Sequence, residues 1–344
     1  MAENGHKNEE LTEYINIQSD FGFKFVFGNE KNKGAIIRFL NIIFAGKLTV
    51  TNVEFHDKEI LPASKDGKRI VYDVYCTSPL KRADSSFFPD HQSKEELGDK
   101  NADHHFILEM QNVNTPPFEE RLTYYTCKGI AGQGVSGWNY ELDPVFTVAV
   151  TDFNFSHLTP KLFHDMIIMD SVTHEMLTDK FHIMLCSLPE VAKTWEGCKS
   201  DLEKALFLIK NMEKMDRTSL AYREGNFNEF FEAARSSRLS KDDIIPYKQS
   251  LEYLQEVQRG IHYMAEQVAQ KASAKAKAEG KAEGRAEGRA EGRAEGIAEG
   301  MAKGMAEGER KMLNANVARM RSNGFSDQDI AKILDQPLDL ILSI

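Results

Sequence analysis

Two short segments confine this chain more tightly than anything else in it: RIVYDVYC, residues 69–76, and FILEMQNV, residues 106–113. β-Branched and aromatic residues dominate both, and each is too short for an ordinary helix. Alternation along a strand puts Val71, Asp73 and Tyr75 on one face of the first, and Ile107, Glu109, Gln111 and Val113 on one face of the second. A carboxylate among such neighbours is expensive to bury without a partner or a metal. If the strands pair, Asp73, Glu109 and Gln111 converge. Two carboxylates can then hold a hard cation, with the amide facing an attacking water. The competing reading leaves Asp73 and Glu109 pointing to solvent from an edge strand, and spacing alone does not separate the two.

The surrounding chain reads as alternating helices and strands. Ile36, Ile37, Leu40, Ile43 and Phe44 recur at helical spacing, predicting an amphipathic helix over 31–45 that Gly46 ends. FEERLTYYTCKGIAGQ, residues 118–133, predicts a second helix with Phe118, Leu122 and Tyr125 along one face. PVFTVAVTDF (144–153) and KFHIMLCSL (180–188) predict a third and a fourth strand. This order describes an α/β fold with a mixed sheet flanked by helices. With 344 residues, 41% of them hydrophobic, the chain can bury a sizeable core. The expected organisation is a disordered N-terminus at 1–11, a sheet domain over 12–200 with a polar insertion at 78–105, and a helical extension over 201–270. A spacer at 271–310 and a small helical tail at 311–344 complete it.

The spacer is a repeat. Eight of the 23 glycines fall at 280, 284, 288, 292, 296, 300, 304 and 308, within AEGKAEGRAEGRAEGRAEGIAEGMAKGMAEG. A period of four excludes a collagen-like helix, whose glycine period is three. On an α-helix it makes Glu279, Glu283 and Glu287 like-charged neighbours, and likewise Lys281, Arg285 and Arg289. Each interior glycine also costs about 1 kcal/mol relative to alanine. An isolated helix here is weak, which favours a mobile spacer or a partner-stabilised helix over a rigid rod. In the tail, Ser326 stands where an N-cap belongs, with Asp329 three residues on and Ile330, Ile333 and Leu334 on one face. Two short helices joined at Asp335–Pro337 are expected. With few basic side chains to read bases, their role is docking or oligomerisation rather than DNA reading.

Charge and composition exclude several classes. The 43 Lys and Arg residues against 53 Asp and Glu give a formal charge of −10, so a polyanion must be gripped locally or through metal ions. No stretch approaches the length of a membrane span and MAENGHKNEE lacks an apolar leader core, which together predict a cytoplasmic protein that no membrane binds. Cys76, Cys127, Cys186 and Cys198 lie far apart without metal-ligand spacing. His91, His104 and His105, with Asp90 and Asp103, fall in the insertion and read as a solvated loop. Phe21, Phe23, Phe25 and Phe27 read as core, and GQGVSG (132–137) is too weak for a phosphate cradle. No nucleotide-binding loop, dinucleotide fingerprint, nucleophile elbow or zinc-protease motif occurs.

The order DFGFKFVFG, YDVYC, ILEMQN, FEERLTYYTCKGIAGQGVSGWNYELDPVFTVAV, and then HIMLCSLPEV, resembles the PD-(D/E)XK nuclease family transposases. These are relatives of the bacterial Rpn recombination-promoting nucleases. The resemblance covers about residues 14–335, the repeat and the closing GFSDQDIAKIL included. It implies a restriction-endonuclease-like core and Mg2+- or Mn2+-dependent DNA cleavage. It makes Asp73 and Glu109 the metal-binding acids, and Gln111 the residue at the position that is Lys in the superfamily's name. Arg121, Tyr125 and Lys24 match substrate-side polar positions, and Asp20 belongs to the opening motif as a helix cap or an accessory ligand. A neutral amide at 111 can orient water but cannot take its proton. Expected partners are DNA, a second copy of the chain and, for the tail, a protein. The alternative is an inactive nuclease fold acting through its helices and tail.

Overall fold

In the computed structural model, residues 11–45, 47–57, 59–60, 70–80, 102–134 and 141–344 are described. Residues 1–10, Gly46, His91 and Asp90, the second half of GQGVSG and most of the polar insertion lie outside them. The chain divides into a unit over 1–260 and another over 261–344.

The first unit is built on a six-stranded mixed sheet. Its strands are β1 (Glu54–Phe55), β4 (Val74–Leu80), β5 (Ala102–Gln111), β6 (Val145–Thr151), β7 (Phe163–Met169) and β8 (Met176–Ser187), in the spatial order β1-β4-β5-β6-β8-β7. The central pairs β5·β6 and β6·β8 are parallel, and the β1·β4, β4·β5 and β7·β8 pairs are antiparallel. A separate two-residue ladder joins β2 (Glu59–Ile60) to β3 (Ile70–Val71). RIVYDVYC is therefore not one strand: it breaks at Tyr72–Asp73, between β3 and β4. The ends of the polar insertion are strand too, and His104 and His105 sit in β5 rather than in a loop. His104 is buried there, and His105 Nδ1 lies 2.7 Å from the Tyr75 hydroxyl. The unpredicted strands are β1 and β2, two residues each, and β7, an edge strand whose half-buried residues give little apolar alternation.

Period-2 alternation separates two buried faces. Val74, Cys76, Phe106, Leu108, Phe146 and Val148 face a large aromatic core shared with α1 (Asp20–Phe27) and α2 (Lys33–Phe44). Phe44 stacks edge-on against Phe146 with ring centroids 4.9 Å apart. Phe23 and Phe27 are fully buried there, with Phe21 and Phe25 packed against them. α2 ends at Phe44, and Ala45 carries the left-handed turn (φ 46°) that the sequence suggests for a glycine. The opposite face carries Ile107, Val145, Ala149 and Leu185 and is covered by α3 (Phe118–Ala131). α3 lies close because Gly129 has no Cβ: one would sit 3.0 Å from Val145 Cγ1. A buried Thr126–Thr147 hydroxyl pair, 2.7 Å apart, ties helix to strand.

The helices after residue 200 are packed into this core. α4 (Asp201–Asn211), α5 (Leu220–Glu224), α6 (Asn228–Ala233) and the start of α7 (Lys241–Ser322) contribute Phe207, Ala221, Phe230 and Tyr247. Phe230 meets Phe27 and Phe39, and the Ile15 amide donates to the Ala234 carbonyl at 2.8 Å. All four cysteines are free thiols.

α7 also contains the whole glycine repeat, helical throughout and exposed from 268 to 312. The sequence favours a mobile spacer or a partner-stabilised helix here; each glycine is followed by three residues that are mostly strong helix formers, and the helix is continuous. Intrahelical ion pairs form where the repeat is interrupted, as in Lys303–Glu299 (2.6 Å) and Lys311–Glu307 (2.8 Å). At its end, Val317 packs with Ile330 and Ala331 of α8 (Asp327–Ile333) and Ile341 of α9 (Leu338–Leu342). The Ser326 side chain accepts from the Asp329 amide, the predicted cap. Among the described residues no helix is long and apolar enough to cross a membrane.

Because Phe230 is fully buried between α1 and α2, Phe230→Ala should destabilise the sheet unit by about 3–5 kcal/mol. Denaturant unfolding followed by circular dichroism and by tryptophan fluorescence should shift as one transition. A shift in a separate helical transition alone would contradict the shared core.

Candidate active site

The break at Asp73 builds the site. The β4·β5 ladder pairs Val74 with Leu108, and one step further the side chains take over from the main chain. The Asp73 amide donates to Glu109 Oε1 at 3.2 Å, and the Met110 amide donates to Asp73 Oδ2 at 2.9 Å. Each carboxylate is thereby anchored by the backbone of the opposite segment. Glu109 is only 5% exposed, so the edge-strand reading, in which it points to solvent, does not hold.

Two cations flank the pair. Lys24 on α1 places Nζ 3.1 Å from Asp73 Oδ1 and 2.5 Å from Asp20 Oδ1. The turn that leads into its helix folds tightly over Gly22, where a Cβ would lie 1.9 Å from the Asn16 carbonyl oxygen. The cap of α1 is Ser19, whose hydroxyl accepts from the Gly22 amide, so Asp20 is not the cap but the first helical residue, exposed and paired with Lys24. Arg121, in the first turn of α3, donates from Nη2 to Gln111 Oε1 at 2.7 Å and lies over the Phe118 ring. The Gln111 amide nitrogen donates to the Val113 carbonyl at 2.8 Å, which fixes which way the amide faces. Arg121 Nε is buried with no partner. Tyr125, one turn on, is buried edge-on against Tyr72, centroids 5.0 Å apart, and so forms a wall of the site.

Burial sets the electrostatics. Loss of solvent pushes the Asp73 carboxyl above its ordinary range, opposed by the Lys24 charge and the Met110 hydrogen bond. Burial followed by the charge of Asp73 pushes Glu109 well up. Lys24 is shifted upward: burial, the largest influence, disfavours its charge, but Asp73 and Asp20 together outweigh it. Burial and then Glu109 hold the Tyr125 phenol protonated to higher pH.

Sequence reasoning missed a second polar layer at this end of the sheet. The Asn112 amide donates to the Gln18 carbonyl at 2.9 Å, Gln18 Nε2 to Asp152 Oδ2 at 3.3 Å, and the Asp152 amide to the Gln111 carbonyl at 3.0 Å. Asp152 follows the C-terminal end of β6, beside β5 in the parallel pair, where ligand sites of α/β sheets gather. That placement depends on pairing that a linear pattern does not reveal.

A family model described as PD-(D/E)XK nuclease family transposase matches residues 17–82 and 97–264, which include every one of these side chains. The chain belongs to this family. No curated protein and no solved structure matches it. Two convergent carboxylates have the donor chemistry that a hard cation takes. Among the described residues Asp73 Oδ1 meets Lys24 Nζ, and no hydrogen bond is made to Glu109 Oε2. Among the described residues no group of three metal-ligating side chains exists. Mg2+ does not need one, since it is commonly held by one or two carboxylates, waters and substrate phosphates.

Both acids have folded-state pKa values raised above the unfolded ones. The stability they contribute is thus full below the unfolded carboxylate range and lost as pH rises through the raised values. Glu109→Gln should therefore raise the melting temperature near pH 8 in chelator, with the gain vanishing near pH 4. Added Mg2+ should stabilise the wild type and not the variant. A variant less stable than wild type at pH 8 would contradict a like-charged buried pair.

Proposed function

We propose that the chain is a divalent-metal-dependent DNA endonuclease that hydrolyses phosphodiester bonds. The observation that carries this reading is the pair of half-buried Asp73 and buried Glu109, cross-anchored by two backbone amides and flanked by Lys24 and Arg121 within the family-matched residues. Asp73 and Glu109 would hold Mg2+ or Mn2+. When bound, such an ion supplies Lewis-acid polarisation of a phosphate oxygen and acidifies water.

The chain's own groups do the rest. Gln111 holds the Arg121 guanidinium beside the acids, where its remaining donors offer charge to a phosphate. Lys24, shared between Asp73 and Asp20, orients Asp73 and favours its ionised form. Gln111 is neutral and accepts no proton from the attacking water, so that proton passes to solvent or to a substrate oxygen. Cleavage is accordingly slow or conditional. With a chain charge of −10, DNA approach depends on these local cations and weakens as salt rises.

Plasmid DNA incubated with the protein and Mg2+ or Mn2+ tests this. Asp73→Ala and Glu109→Ala should each reduce nicking by on the order of 100-fold or more, the scale of removing one preorganised electrostatic group. Equal nicking by all three proteins would refute the site, and no nicking by any on several DNA forms would favour an inactive fold that acts through interaction.

A further inference from the structure

The repeat helix is costly in a way that nothing inside the chain explains. A Cβ added at Gly292, Gly296, Gly300, Gly304 or Gly308 would meet no atom within 4 Å, so no intrachain contact requires glycine there. Nor do the charges at the centre of the repeat pair within the helix: Arg289, Arg293, Glu291 and Glu295 have no ion-pair partner among the described residues, because the uninterrupted four-residue period places like charges at i and i+4, and pairs form only outside it, as at Lys303–Glu299 and Lys311–Glu307.

Projected at about 100° per residue, the C-terminal half of the repeat is nonetheless ordered. Ile297, Met301, Met305 and Met312 fall within roughly 80° of one another, with Gly304 and Gly308 on the same strip. Their side chains are bare in the single chain, Ile297 at 58%, Met301 at 67% and Met305 at 73% exposure. One side of the strip carries Glu291, Glu295 and Glu309; the other carries Arg289, Arg293 and Lys311. Glu307 is the exception on the basic side, and it is neutralised by Lys311 at 2.8 Å.

We propose that this face binds the same face of a second copy of the chain, the two helices running parallel. The charge pattern chooses both partner and direction. In a parallel two-fold pair, the left flank of one helix meets the right flank of the other, so acidic meets basic on both sides. In an antiparallel pair each flank meets its own kind. Gly304 and Gly308 let the backbones approach, and the adaptable methionines fill the seam. Its length, Ala290 to Met312, is about 35 Å, some six turns.

Sedimentation of the full chain should show a dimer, and Met301→Glu with Met305→Glu should abolish it while leaving the far-ultraviolet helical signal intact. A chain carrying Glu291→Lys and Glu295→Lys, and another carrying Arg289→Glu and Arg293→Glu, should each be monomeric alone and dimerise with one another when mixed. Ile297→Cys should cross-link to itself through a short thiol-reactive bridge, with residue 297 found on both sides by peptide mass. A monomeric wild type, a dimer indifferent to the methionine substitutions, or a dimer whose 297 positions do not link would overturn the proposal. None of these readings depends on DNA cleavage.

Discussion

The exchange of hydrogen bonds across the broken strand end is the contact on which this protein's chemistry rests. At Val74 the main chain pairs with β5 in the ordinary way; at Asp73 it departs, and side-chain carboxylates complete the ladder instead. The break satisfies two backbone amides that would otherwise lose their partners. It also sets two negative groups side by side where solvent cannot separate them. Lys24 and Arg121 oppose that concentration of charge: Lys24 favours the ionised form of Asp73, and both cations favour that of Glu109 against the larger effect of burial. Each cation arrives on a helix, and for α3 the close approach to the sheet depends on the bare Gly129.

Much of this arrangement was readable from residue order. The alternation in FILEMQNV gives the face shared by Ile107, Glu109 and Gln111, and the mixed sheet follows from strands alternating with helices. The break at Tyr72–Asp73 could not be read, because Tyr, Asp and Val continue a strand pattern locally. Only the pairing of β3 with β2 and of β4 with β5 shows that the segment serves two ladders. β7 escaped for the opposite reason: an edge strand with half-buried residues does not need strict alternation. The contact between Gln111 and Arg121 spans a turn of unpredictable path, so the order of residues gives their types and not their meeting.

The repeat shows a different limit of sequence reasoning. Propensity scores each glycine as a defect and each like-charged row as repulsion, which describes an isolated helix correctly. It does not consider a neighbour. Three good helix formers between successive glycines are enough for a continuous helix, and the unmatched charges and bare methionines gain meaning only against a second surface.

The size of the aromatic core is related to the cost of the site. Burying two carboxylates and their cations works against folding unless the rest of the unit supplies a surplus. That surplus comes from a continuous cluster in which Phe23, Phe27, Phe39, Phe44, Phe106, Phe146 and Phe230 interlock across α1, α2, the sheet and α6. The same cluster anchors α1, the helix that carries Lys24, through its buried face. On this view the helices beyond residue 200 act on the chemistry without touching it: by packing against Phe27 and Phe39 they hold α1 at the distance from which Lys24 reaches Asp73.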